Sequence, residues 1–243
     1  MWDHVTLRAS DFDASARFYD LVLGTLGVVR AGTADWIIEW GEFSISPAND
    51  EKPPTRGLHM GFAAPSRDHV DAFWRAGVDA GYRDDGAPGP RPEYGPDYYG
   101  GFLLDPDGNS AEAVHHDRVG GRDVIDHLWF RVADVDAARA FYVALALHTG
   151  AELHDGLPGH AHFGGESGSF TFVADDRPVT EEVHVAFPGA DREAVAAFHR
   201  DALAAGYRDN GGPGERPEYH PGYYGAFVLD PDGNNIEVVF HDR

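Results

Sequence analysis

Residues 81–112 read GYRDDGAPGPRPEYGPDYYGGFLLDPDGNSAE, and residues 206–237 read GYRDNGGPGERPEYHPGYYGAFVLDPDGNNIE. The two 32-residue stretches are offset by 125 positions and identical at 23 of them. An earlier correspondence sets residues 2–8 (WDHVTLR) against residues 125–131 (IDHLWFR), at an offset of 123. It continues through Asp11 and Asp134 to Phe18-Tyr19 and Phe141-Tyr142. Repetition at this spacing makes the 243-residue chain a tandem duplication of a unit of about 120 residues, an ordinary domain size. Domains are expected at 1–116 and 124–243, joined by a polar, glycine-containing linker at 117–123.

Within each copy the hydrophobic pattern runs in the same order. Val5, Leu7 and Ala9 alternate with His4, Thr6 and Arg8, as in a strand buried on one side. Asp11 or Asp13 can cap a helix that runs through Phe18, Tyr19 and Val22. Short strands are expected at 35–40 and 42–46. The order then restarts with a strand at 57–63, a helix at 66–81, a long Gly/Pro loop, and strands at 98–104 and 110–115. This is an α+β chain of four β-α-β-β-β modules, two per domain. The DPDG tetrapeptides at 105–108 and 230–233 fit type I turns that set the register of the last strand.

Composition narrows the chemistry. Apolar residues make up 42% and charged residues 25%, the range of a folded globular protein. There is no cysteine, so a metal must be held by nitrogen and oxygen. A net charge of −22 argues against binding nucleic acid or an anionic membrane. With no targeting segment and no apolar run of membrane length, a cytoplasmic protein is expected.

Three titratable residues recur at matching strand positions: His4, His59 and Glu112 in the first copy, His127, His184 and Glu237 in the second. His59 shares its strand face with Gly61 and Ala63, and such small neighbours are expected to leave room around the imidazole. Two imidazoles and one carboxylate are the ligands of a three-residue metal face with open positions.

Asp3-His4-Val5 leading to Phe18-Tyr19, with Asp105-Pro106-Asp107-Gly108-Asn109 three residues before Glu112, resembles the vicinal oxygen chelate superfamily. That group includes glyoxalase I, extradiol dioxygenases, fosfomycin-resistance enzymes and bleomycin-binding proteins. The resemblance covers essentially the whole chain, twice over. It implies two tandem glyoxalase-like domains, each with paired modules forming an incomplete barrel around a divalent metal: Fe(II), Mn(II), Ni(II) or Zn(II). Carried over, it groups His4, His59 and Glu112 as one centre and His127, His184 and Glu237 as the other. It also implies a small-molecule substrate with two adjacent oxygens, handled by a monomer or a homodimer.

The RPEY-x-P-x-YYG segment supplies Tyr94, Tyr98 and Tyr99, matched by Tyr219, Tyr223 and Tyr224, as candidates to line the substrate site. Arg8 and Arg131 share strand parity with His4 and His127 and are candidates to meet an anionic substrate. His116 and His241 share parity with the glutamates and are candidates to support the ligands. Two departures bear on the reaction. Glyoxalase-like members add a fourth ligand from the last strand of the first module, where this chain has Ser44, Ser46, Thr171 and Val173, with Glu42 only at the strand edge. Ring-cleaving dioxygenases place a tyrosine before the Asp-Pro turn, where Phe102 and Phe227 stand here; the histidine they place near the ligands has one candidate, His220, whose counterpart is Gly95. The expected function is therefore a metalloenzyme of dioxygenase-like or lyase/isomerase type, the alternative being a protein that sequesters a small molecule without catalysis.

Overall fold

The computed structural model describes residues 1–117, 123–154, 159–165 and 167–242, so the interior of the expected linker, 118–122, lies outside the described residues. Four β-α-β-β-β modules follow one another. The first is β1 (His4–Ala9), α1 (Phe12–Gly24), β2 (Gly32–Ala34), β3 (Ile37–Trp40) and β4 (Phe43–Pro47). The second is β5 (His59–Ala63), α2 (Arg67–Asp79), β6 (Arg83–Pro90), β7 (Tyr99–Leu104) and β8 (Ser110–His115). The third is β9 (Ile125–Arg131), α3 (Val135–Thr149), β10 (Glu152–His154), β11 (His160–Gly164) and β12 (Ser169–Val173). The fourth is β13 (His184–Pro188), α4 (Arg192–Ala204), β14 (Arg208–Glu215), β15 (Tyr223–Leu229) and β16 (Asn235–His241).

Asp11 caps α1 through its side chain, which accepts from the Ala14 N–H at 2.9 Å, and Asp134 and Asp191 do the same for α3 and α4. The expected Gly/Pro loop is corrected: residues 83–90 and 208–215 are strands, β6 and β14. Their glycines and prolines are tolerated because each lies at a sheet edge and its register against the neighbouring strand is broken by shifts.

The strands form two eight-stranded sheets, neither closed on itself. Two compact units divide the chain: Met1–Val5 with Phe130–Arg243, and Thr6–Trp129. The chain therefore changes unit inside β1 and again inside β9.

In the Thr6–Trp129 unit, aromatic side chains fill the space between helix and strands. Tyr19 meets Phe43 edge-on at 4.6 Å, and Phe18 meets Tyr82 at 4.8 Å. The other unit repeats the pattern with Tyr142 on Phe172 at 4.6 Å and Phe141 on Tyr207 at 4.7 Å. Each such buried ring stabilises the fold by roughly 1.5–3 kcal/mol. The DPDGN turns do more than reverse the chain. The Asp105 carboxylate accepts from the Asp107 and Asn109 N–H groups and from the Tyr19 hydroxyl, and Asn109 Oδ1 accepts from Leu58 N just ahead of β5. The turn thus fixes the last strand of the module against both α1 and the strand that carries His59.

Candidate metal centres

In the Thr6–Trp129 unit, β5 lies between β8, parallel to it, and β9, antiparallel. Gly61 is opposite Glu112 on one side and His127 on the other, so the three positions form one row across the sheet. His59, two residues along, presents its ring to the same face. His59 Nε2 lies 3.1 Å from Glu112 Oε2 and 3.1 Å from His127 Nε2, and His127 Nε2 lies 3.3 Å from Glu112 Oε2. In the other unit, Ala186 of β13 is opposite Glu237, and the Asp3 N–H donates to Ala186 O at 2.9 Å, which sets His4 beside them. There His4 Nε2 and His184 Nε2 are 3.0 Å apart, and Glu237 Oε2 is 3.1 Å from His184 and 3.7 Å from His4.

The grouping carried over from the resemblance is thus corrected. His59 and Glu112 stand with His127, while His184 and Glu237 stand with His4. Each centre takes its first-strand histidine from the other copy of the repeat, because the chain changes unit within β1 and β9. Gly61 is likewise reassigned. A Cβ there would collide with the His127 ring, so its missing side chain makes room for His127 and not for His59. Its counterpart is Ala186, and His4 stands farther from its glutamate than His127 does.

Hydrogen bonds behind the ligands fix where the imidazole protons sit. His127 Nδ1 donates to Asp126 Oδ1 at 2.8 Å, and Asp126 Oδ2 receives His116 Nε2 at 3.0 Å. His4 Nδ1 donates to Asp3 Oδ1 at 2.8 Å, and Asp3 Oδ2 receives His241 Nε2 at 2.9 Å. His59 Nδ1 lies 3.1 Å from the Ser110 hydroxyl, whose own proton goes to Asp85 Oδ2 at 2.7 Å, so His59 is the donor. In His59 and His127 the Nδ1 atoms are therefore protonated, which leaves Nε2 of each as the atom aimed at the carboxylate oxygen.

The electrostatics agree. Burial opposes a charged His127, but Asp126 and Glu112 outweigh it and raise its pKa to about 10. Burial alone would raise Glu112, yet His127 and His59 hold it low. At the other centre burial prevails and lifts Glu237 to about 7. Glu237 Oε2 is buried and accepts no hydrogen bond.

The donor sets fit a divalent ion. Two ligands at right angles, bonded at about 2.1–2.2 Å, stand about 3.0–3.1 Å apart. Five of the six ligand separations lie between 3.0 and 3.3 Å, and the orphaned Glu237 Oε2 is the kind of atom a metal satisfies. Among the described residues neither group has a fourth member. Glu42 accepts from Ile125 N at 2.6 Å, and Ser44 is bonded to Thr6.

Of the tyrosines, Tyr98 and Tyr223 reach the centres. Their hydroxyls donate to Glu112 Oε1 at 2.8 Å and to Glu237 Oε1 at 2.7 Å, turning each carboxylate so that only Oε2 faces the histidines. Gly100 and Gly225 make this possible, since a Cβ at either would overlap the glutamate. Tyr94 and Tyr219 are half exposed and pack edge-on against Tyr98 and Tyr223. Tyr99 donates instead to Asp71, and Tyr224 lies under Arg192. His220 does not meet the ligands; its Nε2 is 2.9 Å from His241 Nδ1, extending the Asp3–His241 chain outward. Arg131 Nε is 3.3 Å from Asp175, and the Arg8 backbone N–H donates to Thr55.

The aspartates behind His127 and His4 are absent from the sequence-derived candidates, although the Asp-His dipeptide repeated at offset 123 was their signal. Asp126→Asn is expected to weaken metal binding at the His59–Glu112–His127 centre by about 10–100-fold and leave the other unchanged, as calorimetric titration would show.

The sequence matches the Glyoxalase/Bleomycin resistance protein/Dioxygenase superfamily over residues 2–113 and 124–238. No curated protein matches it. Among solved structures, glyoxalase I from Zea mays is similar at 18% identity over 99% of this chain and 92% of that one, with a TM-score of 0.70. A glyoxalase/bleomycin resistance protein from Albidiferax ferrireducens T118 matches at 25% identity over 47% of this chain and 97% of its own, with a TM-score of 0.43. With both copies matched and the two-unit fold shared, the chain belongs to the glyoxalase/bleomycin resistance protein/dioxygenase superfamily.

Proposed function

We propose that the protein is a divalent-metal-dependent enzyme that chelates a small substrate through two adjacent oxygens at each of two His-His-Glu centres, His59–Glu112–His127 and His4–His184–Glu237. The observation that carries this is the convergence of two imidazole Nε2 atoms and one carboxylate oxygen in both units, with Nδ1 of the first-strand histidine held by an aspartate each time. A divalent ion held there would act as a Lewis acid on adjacent substrate oxygens, and as Fe(II) it would have the two-histidine, one-carboxylate face of oxygenases.

The chain's own residues do the rest. Asp3 and Asp126 keep Nε2 of their histidines free for a ligand bond. Tyr98 and Tyr223 occupy one oxygen of each glutamate and orient the other. The reaction class this supports is dioxygenase-like, or lyase or isomerase. A single chain carries both ligand sets in full. No helix among the described residues is long and apolar enough to cross a membrane.

Metal analysis after purification without chelator tests the reading, with two equivalents of divalent metal per chain expected. Oxygen uptake with a catechol panel then separates dioxygenase from lyase or isomerase. Less than one tightly held equivalent, with no gain on adding Fe(II), Mn(II), Ni(II) or Zn(II), would leave a sequestering protein as the better account.

A further inference from the structure

The Gly/Pro-rich edge strands build a feature that the metal centres do not use. In β6 and the residue after it, Arg91 folds back over its own strand. Its Nη2 donates to Ala87 O at 2.9 Å and its Nη1 to Pro90 O at 3.2 Å. Arg216 does the same with Gly212 O at 2.8 Å and Glu215 O at 3.2 Å. The guanidinium carbons lie over the rings of Phe102 and Phe227, at 5.3 and 5.4 Å from the centroids. Those rings lie 5.9 Å from the His59 ring and 6.2 Å from the His184 ring, and Phe102 and Phe227 are register partners of Glu112 and Glu237. One aromatic ring therefore separates each guanidinium from a ligand histidine.

The posture is built into the backbone. Gly86 and Gly211 have φ of 153° and 148°, and a Cβ at either would press on the phenylalanine ring at 3.0 Å. Asp84 and Asp209 hold these bends by accepting the N–H of Gly86 and Gly211, each at 2.9 Å. A guanidinium has five N–H donors, and two are spent on carbonyls here. Neither arginine forms an ion pair among the described residues, in a chain with 41 acidic side chains against 19 lysines and arginines. Two preset, partly exposed guanidinium forks, each one aromatic ring away from a candidate ligand histidine and lacking a carboxylate, are suited to an incoming anion.

We propose that Arg91 and Arg216 each bind an anionic group of the substrate, so that each centre takes a small chelating molecule that also carries a carboxylate or similar anion. This rests on the metal-centre reading above.

The test is calorimetric binding to the full chain loaded with Mn(II) or Zn(II), using catechol, 2,3-dihydroxybenzoate and 3,4-dihydroxybenzoate. At least one of the two acids is expected to bind about tenfold or more tighter than catechol. In Arg91→Gln/Arg216→Gln that preference is expected to fall to near unity, with catechol affinity and thermal unfolding unchanged. Should the double variant fail to fold, the single variants carry the same test, each abolishing the preference at half of the sites. No preference in the wild type, or an undiminished one in the variants, overturns the proposal. Binding of neither catechol nor its acids also overturns this inference, whereas the metal-centre reading falls only on the metal content measured after purification.

Discussion

The double variant His4→Ala/His59→Ala is expected to bind no divalent metal tightly, whereas His4→Ala/His184→Ala keeps one equivalent per chain. The first pair lies within one copy of the repeat, and a grouping by sequence order would have it disable a single centre. In the structure it removes one ligand from each, because His4 stands with His184 and Glu237 while His59 stands with Glu112 and His127. Two remaining ligands do not hold an ion in an open three-residue face. Metal counting on purified, folded variants decides the matter. One retained equivalent in His4→Ala/His59→Ala would mean that the two units exchange no strand.

Substituting the two glutamates is expected to have opposite effects on the metal-free protein. Glu112 is compensated by His127 and His59, so Glu112→Gln removes a satisfied charge and should destabilise by a few kcal/mol. Glu237 is a buried carboxylate with an orphaned oxygen, and its folded pKa, about 7, lies above its ordinary 4.5. The folded protein then keeps a proton that the unfolded chain gives up, so stability falls as pH rises from about 4.5 to about 7, by on the order of 3 kcal/mol. At pH 8 Glu237→Gln should therefore melt higher than the metal-free wild type, by roughly 6–12 °C for the unit that carries it. Its amide can donate to a histidine lone pair where the carboxylate could not. Metal should stabilise the wild type by about 4 kcal/mol at a thousand times its Kd and do nothing at the substituted centre. Thermal unfolding with and without chelator reads both effects; a lower melting point for metal-free Glu237→Gln would show that the carboxylate is already compensated.

The six residues of the candidate centres were legible because strand alternation places each on a definite face and because the duplication repeats them. Their partners were not. Nothing along the chain marks that Gly61 will lie opposite His127, since strand neighbours are chosen by packing between segments far apart in sequence. Composition misled at residues 83–90: glycine and proline signal a loop, and only the edge position and the register shifts let them pair as a strand. The same glycines now account for the posture of Arg91. The Asp3-His4 and Asp126-His127 dipeptides were visible, but an aspartate beside a strand histidine has no meaning until the ring's Nδ1 is seen to face it.

The change of unit within β1 and β9 also sets an order of assembly. Thr6–Trp129 is one continuous stretch, and the His59–Glu112–His127 centre is closed by residues no more than 68 positions apart. The other centre joins His4 to Glu237, 233 positions away. Closing that longer loop costs about 1 kcal/mol more in chain entropy, but the larger difference is temporal. During synthesis from the N-terminus, the first centre can form while the second repeat is still being made. His4 must wait for nearly the entire chain, so the two centres, alike in ligands, differ in age within every newly made molecule.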